Sequence, residues 1–159
     1  MIQKKIYTVE EAKKRMERYC SYQERCHQEV ERKLNEMNLI IEAKEFIILN
    51  LLEHDFLNEE RFSKAYVRGK FNIKKWGKQR IIRELKFRNI SEYNIRSGLQ
   101  EIKEDDYHKT FNKLAQKKYS NIKEINIYKK RKKLADYLLY RGWESALVYD
   151  KVLELIPNK

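Results

Sequence analysis

Between Arg68 and Arg88 the chain reads RGKFNIKKWGKQRIIRELKFR. That run holds nine basic residues, Arg68, Lys70, Lys74, Lys75, Lys78, Arg80, Arg83, Lys86 and Arg88, against one acid, Glu84. A second cluster, from Lys117 to Lys133, has eight basic residues against Glu124 alone and ends in Lys129, Lys130, Arg131, Lys132 and Lys133. The two stretches carry +8 and +7 while the whole chain carries a formal +12, so the remainder is slightly negative. A positive field this concentrated addresses a polyanion or an acidic protein surface. Trp76, beside Lys74, Lys75 and Lys78, has two readings: it stacks on a base or anchors an interface, or it closes a core next to Gly77. Arg80 and Glu84 stand four apart, which predicts a helical ion pair of about 0.2–0.5 kcal/mol and leaves Arg83, Lys86 and Arg88 for a partner.

Other chemistries find little support. Cys20, Cys26 and His27 lack the paired spacing of a zinc site, and His54 and His108 stand alone. No phosphate-binding loop, dinucleotide fingerprint, nucleophile elbow or zinc-protease motif occurs, so no catalytic residue, metal ligand or cofactor is assigned. The acidic groups Glu101, Glu104, Asp105, Asp106 and Glu53, Asp55, Glu59, Glu60 fall where helices begin, and a helix N-terminus favours carboxylates without any metal. Hydrophobic residues make up 42% of the chain and charged residues 38%, which suits thin packing of small units better than one thick globule. The longest apolar patch, Phe46 to Leu52, is far short of the roughly 18 residues a membrane helix needs. The N-terminus lacks the apolar run of a signal peptide, and two scarce cysteines suggest reduced, half-buried thiols. These features predict a soluble, cytoplasmic protein.

The elements that hold the basic clusters are helices. Proline occurs once, at Pro157, and β-branched alternation is nowhere sustained. Thr8-x-x-Glu11 and Ser21-x-x-Glu24 match the capping box, Asn58 and Ser91 are further N-caps, and Gly142 suits a left-handed helix end. The pattern predicts nine helices, near 8–20, 22–37, 41–54, 58–72, 77–88, 91–103, 105–119, 126–141 and 144–155. They fall into three sets of three. In each set the middle helix ends on a leucine (Leu34, Leu85, Leu138) followed five residues later by an apolar residue, Leu39, Ile90 or Trp143. Ile90, Ile95, Leu99 and Ile102 repeat as Trp143, Val148, Val152 and Leu155 at the same offsets, while the first copy is longer and fits less well. Such recurrence reads as tandem units at 8–55, 56–103 and 104–156. A helix-turn-helix reader of duplex DNA is the competing use of three-helix units. Its recognition helix, Ser91 to Lys103, would carry Arg96 and Lys103 against Glu92 and Glu101, a poor balance for facing phosphates. Consecutive helical residues point to all sides, so only part of Lys129–Lys133 can meet one partner.

One stretch is more specific still. Phe56 to Arg68, with Asn58, Glu59, Arg61 and Phe62, followed by Gly77, Arg80, Ile81, Glu84, Leu85 and Ile90, closely resembles the signature of the RecX family. Asn58 replaces the family's first acid and Ser63 its small alanine, and the looser Arg141-Gly142-Trp143 phrase extends the likeness over most of the chain. The resemblance implies an all-α, elongated, curved array of three tandem three-helix repeats. It implies a protein without enzymatic chemistry that lies in the groove of the RecA filament on single-stranded DNA, inhibits ATP hydrolysis and strand exchange, and so restrains homologous recombination. Direct DNA binding is the alternative that the charge pattern could serve. A monomer is expected.

Overall fold

The structure, a computed structural model, describes residues 5–158. Within them the chain forms nine helices and no strand: α1 (Val9–Tyr22), α2 (His27–Asn35), α3 (Ile41–Glu53), α4 (Glu59–Asn72), α5 (Lys78–Phe87), α6 (Glu92–Leu99), α7 (Glu104–Asn121), α8 (Ile127–Tyr140) and α9 (Ser145–Leu155). Local chemistry starts many of them. Thr8 Oγ1 accepts from Glu11 N at 3.1 Å, Asn58 Oδ1 from Arg61 N at 3.0 Å, Ser91 Oγ from Asn94 N at 3.2 Å and Asn126 Oδ1 from Lys129 N at 3.1 Å. Each bond satisfies an amide that the first turn would otherwise leave orphaned.

The capping box predicted at Ser21 does not form. Helix α1 runs on through Tyr22, and α2 starts only at His27 with Cys26 as its N-cap residue. Arg25 explains the turn, because its Nε donates to the Tyr19 carbonyl at 3.0 Å and ties the intervening loop to the end of α1. Glu24, the acid of the predicted box, is drawn instead to Arg61. Cys26 lies outside the helical pattern, and both thiols are free and fully buried rather than half-buried.

The recurrent leucine phrase is a helix ending. After Leu85 the chain turns left-handed at Asn89, and after Leu138 it does so at Gly142. Ile90 N bonds back to Leu85 O and Trp143 N to Leu138 O, while Asn89 N and Gly142 N bond to Lys86 O and Leu139 O. This pair of bonds is the Schellman arrangement, whose usual apolar contact joins the leucine to the residue five positions on. Leu51, Asp55 and Phe56 repeat it at the end of α3. In the first unit Asn38 is also left-handed, at φ 54°.

The main helix-to-helix packing lies within α1–α3, within α4–α6 and within α7–α9. The most extensive packing is α4 on α6. Gly98 sits so near the Ser63 carbonyl and Val67 that an added Cβ would lie 3.0 Å from both, which explains why position 98 is a glycine. The core is divided unevenly. Ala12, Met16, Val30, Leu34, Ile47 and Leu51 form one cluster with Cys20 and Leu57. The buried residues of α4–α9 form a second, continuous cluster that also takes in Cys26. Tyr107 lies against Phe71 at 5.9 Å and Trp143 at 4.6 Å between ring centroids, with Phe111 beside Trp143, so aromatic packing fuses the later units. No described helix is long and apolar enough to cross a membrane.

Candidate binding surface

The signature residues build joints. At the first, Arg61 of α4 donates to Glu24 at 2.6 Å and to Asp55 at 2.9 Å, and its remaining donors reach the carbonyls of Asp55 and Phe56. Glu59 accepts from His27 N at 3.1 Å, so the opening amide of α2 is satisfied by the next unit. Asn58 caps α4, while Phe62 is buried at the edge of the larger core. The second joint uses the same device on α5. Gly77 N donates to Arg141 O at 2.8 Å, Gln79 N to Gly142 O at 3.0 Å and Lys78 N to Tyr107 Oη at 2.9 Å. Tyr107 in turn donates to Glu144 at 2.8 Å, and burial pushes its phenol well above the usual range. A Cβ on Gly77 would strike the Gly142 carbonyl and the Trp143 backbone, so only glycine permits this approach. Ile81 and Leu85 point into the core. Tyr107, Glu144 and Tyr140 are structural partners of the signature that sequence reasoning missed; Arg141 and Gly142 were singled out only as part of the looser phrase around Trp143.

These joints consume part of the positive charge. Lys78 pairs with Glu104 at 2.5 Å and lies over the Tyr107 ring, and the ammonium holds the Glu104 carboxyl below its ordinary pKa. Arg68 pairs with Glu101 at 3.1 Å. The predicted Arg80–Glu84 pair is absent. Glu84 takes Arg88 at 3.2 Å, and Arg80 is stacked between Trp76 at 4.0 Å and Tyr140 at 4.8 Å while donating to the Tyr140 carbonyl. Arg88 is therefore held by the helix, and Arg80 is drawn away by aromatic faces that come from outside α5. Trp76 is half-buried and packed against the larger core, with Lys70 on it at 4.9 Å as well as Arg80.

In the later cluster Arg131 donates to the Ile156 carbonyl at 2.9 Å, Lys132 pairs with Asp136 at 2.6 Å and Lys133 with Glu124 at 3.6 Å. Lys130 covers the Tyr119 ring at 4.4 Å, and Lys129 is exposed. Lys70, Lys74, Lys75, Arg83, Lys86 and Lys129 have no carboxylate in ion-pair range among the described residues. All except Lys70 are exposed. Lys70 sits lower, where desolvation and then the neighbouring charges of Lys74 and Arg88 depress its pKa. No group of acids, histidines or cysteines among the described residues could hold a metal ion.

A groove of about 670 Å³ opens beside Lys70, between α1–α2 and α4–α5. Gly69 lines it from the interior of α4, where a glycine costs about 1 kcal/mol relative to alanine. The other three glycines are each pressed against neighbouring atoms, whereas a Cβ on Gly69 would meet nothing within 4 Å.

Fold and surface together define a tandem three-helix repeat protein, locked unit to unit, whose middle unit carries an excess of unpaired cations. Comparison with known proteins gives the class a family. A model of the second three-helix domain of RecX matches residues 58–99, and a model of its third matches 104–152. Together they cover more than half of the chain, and the chain belongs to the RecX family. It is similar to regulatory protein RecX of Bacillus cytotoxicus, 27% identical over 141 residues, which are 89% of this chain and 52% of that protein. Regulatory protein RecX of Clostridium perfringens is 30% identical over 111 residues, 69% of this chain and 51% of that one. The chain thus spans about half the length of these relatives. Its fold matches the crystal structure of RecX from Lactobacillus salivarius with a TM-score of 0.78 at 23% identity, covering 92% of this chain and 96% of that one. A second crystal structure, of regulatory protein RecX, matches with a TM-score of 0.79 at 24% identity over 95% of this chain and 73% of that chain.

Proposed function

We propose that this protein is a negative regulator of homologous recombination that binds the groove of the RecA filament on single-stranded DNA and inhibits RecA's ATP hydrolysis and strand exchange. The observation that carries the reading is the set of cations without carboxylate partners on the signature unit, Lys70, Lys74, Lys75, Arg83 and Lys86. Lys70, Arg83 and Lys86 project from α4 and α5, and Lys74 and Lys75 from the turn that joins those helices. The two joints hold these helices in fixed relation, and a rigid cationic surface suits a repeating anionic lattice. Three units divided at 8–55, 56–103 and 104–156 would span neighbouring protomers, with Lys129 and Lys130 extending the face into the last. A cytoplasmic monomer without catalytic chemistry of its own fits this role.

The test is ATP hydrolysis by a cognate RecA on single-stranded DNA, titrated with this protein. Inhibition below one molecule per RecA protomer is expected. The double reversal Arg83→Glu with Lys86→Glu should weaken inhibition by about a hundredfold or more, two lost contacts to charged groups being worth roughly 1.5–3 kcal/mol each. Neither side chain has a carboxylate partner among the described residues, so melting temperature should hold. Full inhibition by that variant would remove this face from the contact. A second reading, autonomous DNA binding, draws on the same charge. It predicts tight binding to naked DNA whose affinity falls with salt at a log–log slope near −0.9 per phosphate contacted.

A further inference from the structure

We infer that the groove between α1–α2 and α4–α5 is a docking site for an acidic peptide segment bearing apolar side chains. The inference deepens the reading above, and rests on it only in assigning this groove to protein rather than to nucleic acid. Gly69 is the first observation. It lies inside the unbroken helix α4, no atom of the described residues requires a missing side chain there, and its bare backbone leaves room for a close approach by something outside the chain. The groove's charge says what approaches. Arg32, Lys70 and Lys74 line it and have no carboxylate partner among the described residues. Of its own acids, Glu24 is paired through Oε1 with Arg61 while its Oε2 is buried, and Glu29 is paired with Arg25. The site therefore offers positive charge to a ligand and little negative charge to repel one.

Its apolar rim excludes a purely ionic ligand. Ile73 and Phe87 border the groove at 77% and 75% exposure, large apolar side chains with nothing over them. The remaining aromatic rings argue against stacked bases. Tyr66 is covered by Lys70 at 5.3 Å and by Arg88 at 5.1 Å, and Tyr19 by Arg25 at 3.7 Å. Single-strand binders present successive open rings, whereas here Phe87 alone stands exposed on the lining. Carboxylates on the lysines and an aliphatic side chain on Ile73 and Phe87, with the peptide backbone passing over Gly69, satisfy every feature at once.

The experiment is fluorescence anisotropy on the full chain without RecA, so that it stands apart from the ATPase test. The probes are a labelled peptide of glutamates interrupted by leucines, an all-glutamate peptide of equal charge, and oligothymidylate. The mixed peptide should bind about tenfold more tightly than the all-glutamate one, as burial of an apolar side chain requires. Gly69→Leu should cut mixed-peptide affinity by about tenfold or more, with melting temperature unchanged or raised because the new side chain fills open space and favours the helix. It should leave oligothymidylate binding alone. Lys70→Glu with Lys74→Glu should abolish peptide binding independently. Unchanged peptide affinity in folded Gly69→Leu would overturn the assignment. Loss of oligothymidylate binding in its place would also overturn it, and make the groove a nucleic-acid site.

Discussion

The behaviour of single residues here depends on which distant group reaches them first. Arg61 is a case in point. On the sequence it is one arginine of a signature, whereas in the fold it closes four bonds to Glu24, Asp55 and the turn between α3 and α4. Arg61→Ala should destabilise the protein by about 1–2 kcal/mol, less than a buried pair because the side chain is partly exposed, with thermal unfolding as the check. The loss should fall on the first joint. Inhibition by the folded fraction should change little, since the Arg61 donors are already taken by Glu24, Asp55 and the α3–α4 turn. The same logic separates Arg83 and Lys86 from Arg80 and Arg88, which are neighbours in sequence but already committed to aromatic rings and to Glu84.

At the level of elements, most of the helices are short and polar, α3 and α9 being the apolar exceptions, and their ends are settled by a few caps and left-handed residues. What joins them is less ordinary. The opening amides of α2 and α5, the middle helices of their sets, find acceptors in the following unit. A helix N-terminus left without partners in a packed joint would be costly, so each of the first two units is completed by its successor. Gly77→Ala tests this at its tightest point. The added Cβ would collide with backbone at Gly142 and Trp143. Destabilisation of about 2–4 kcal/mol is expected, read as a large fall in the denaturation midpoint. Amide exchange should quicken in α5 and the α8–α9 turn before α1 is affected.

Across the whole molecule, the core falls into two bodies of unequal size, one in α1–α3 and one through α4–α9. In repeat proteins each unit leans on its neighbours, and the body with fewer contacts opens first. The cysteines report on this. Cys20 belongs to the smaller core and Cys26 to the larger, and burial pushes both thiols up to about 11. At pH 8 neither should react with a thiol reagent in the native state, and Cys20 should be labelled before Cys26 as denaturant is raised. An unfolded thiol loses its proton near about 8.5. Between there and about 11 the unfolded chain binds fewer protons than the folded one, so stability should fall as pH rises. Serine at both positions should remove that part of the alkaline loss in a pH series of denaturation curves.

Much of this architecture was legible in the residues alone, because its determinants act over a few positions. Thr8, Asn58 and Ser91 cap helices where their spacing says they should, and the leucine phrase ends helices by bonds that span five residues. The concentration of charge and the family signature are likewise properties of the chain. The failures share one cause. Ser21 lost its predicted cap when Glu24 found Arg61, 37 positions away, and Glu84 and Arg80 separated once Tyr140 came within reach, 60 positions on. Which cations remain unpaired, why Gly69 faces open space, and how unevenly the core divides were decided only when remote segments met. Pairing energies of charges and rings depend on distance in space, and separation along the chain does not encode that distance.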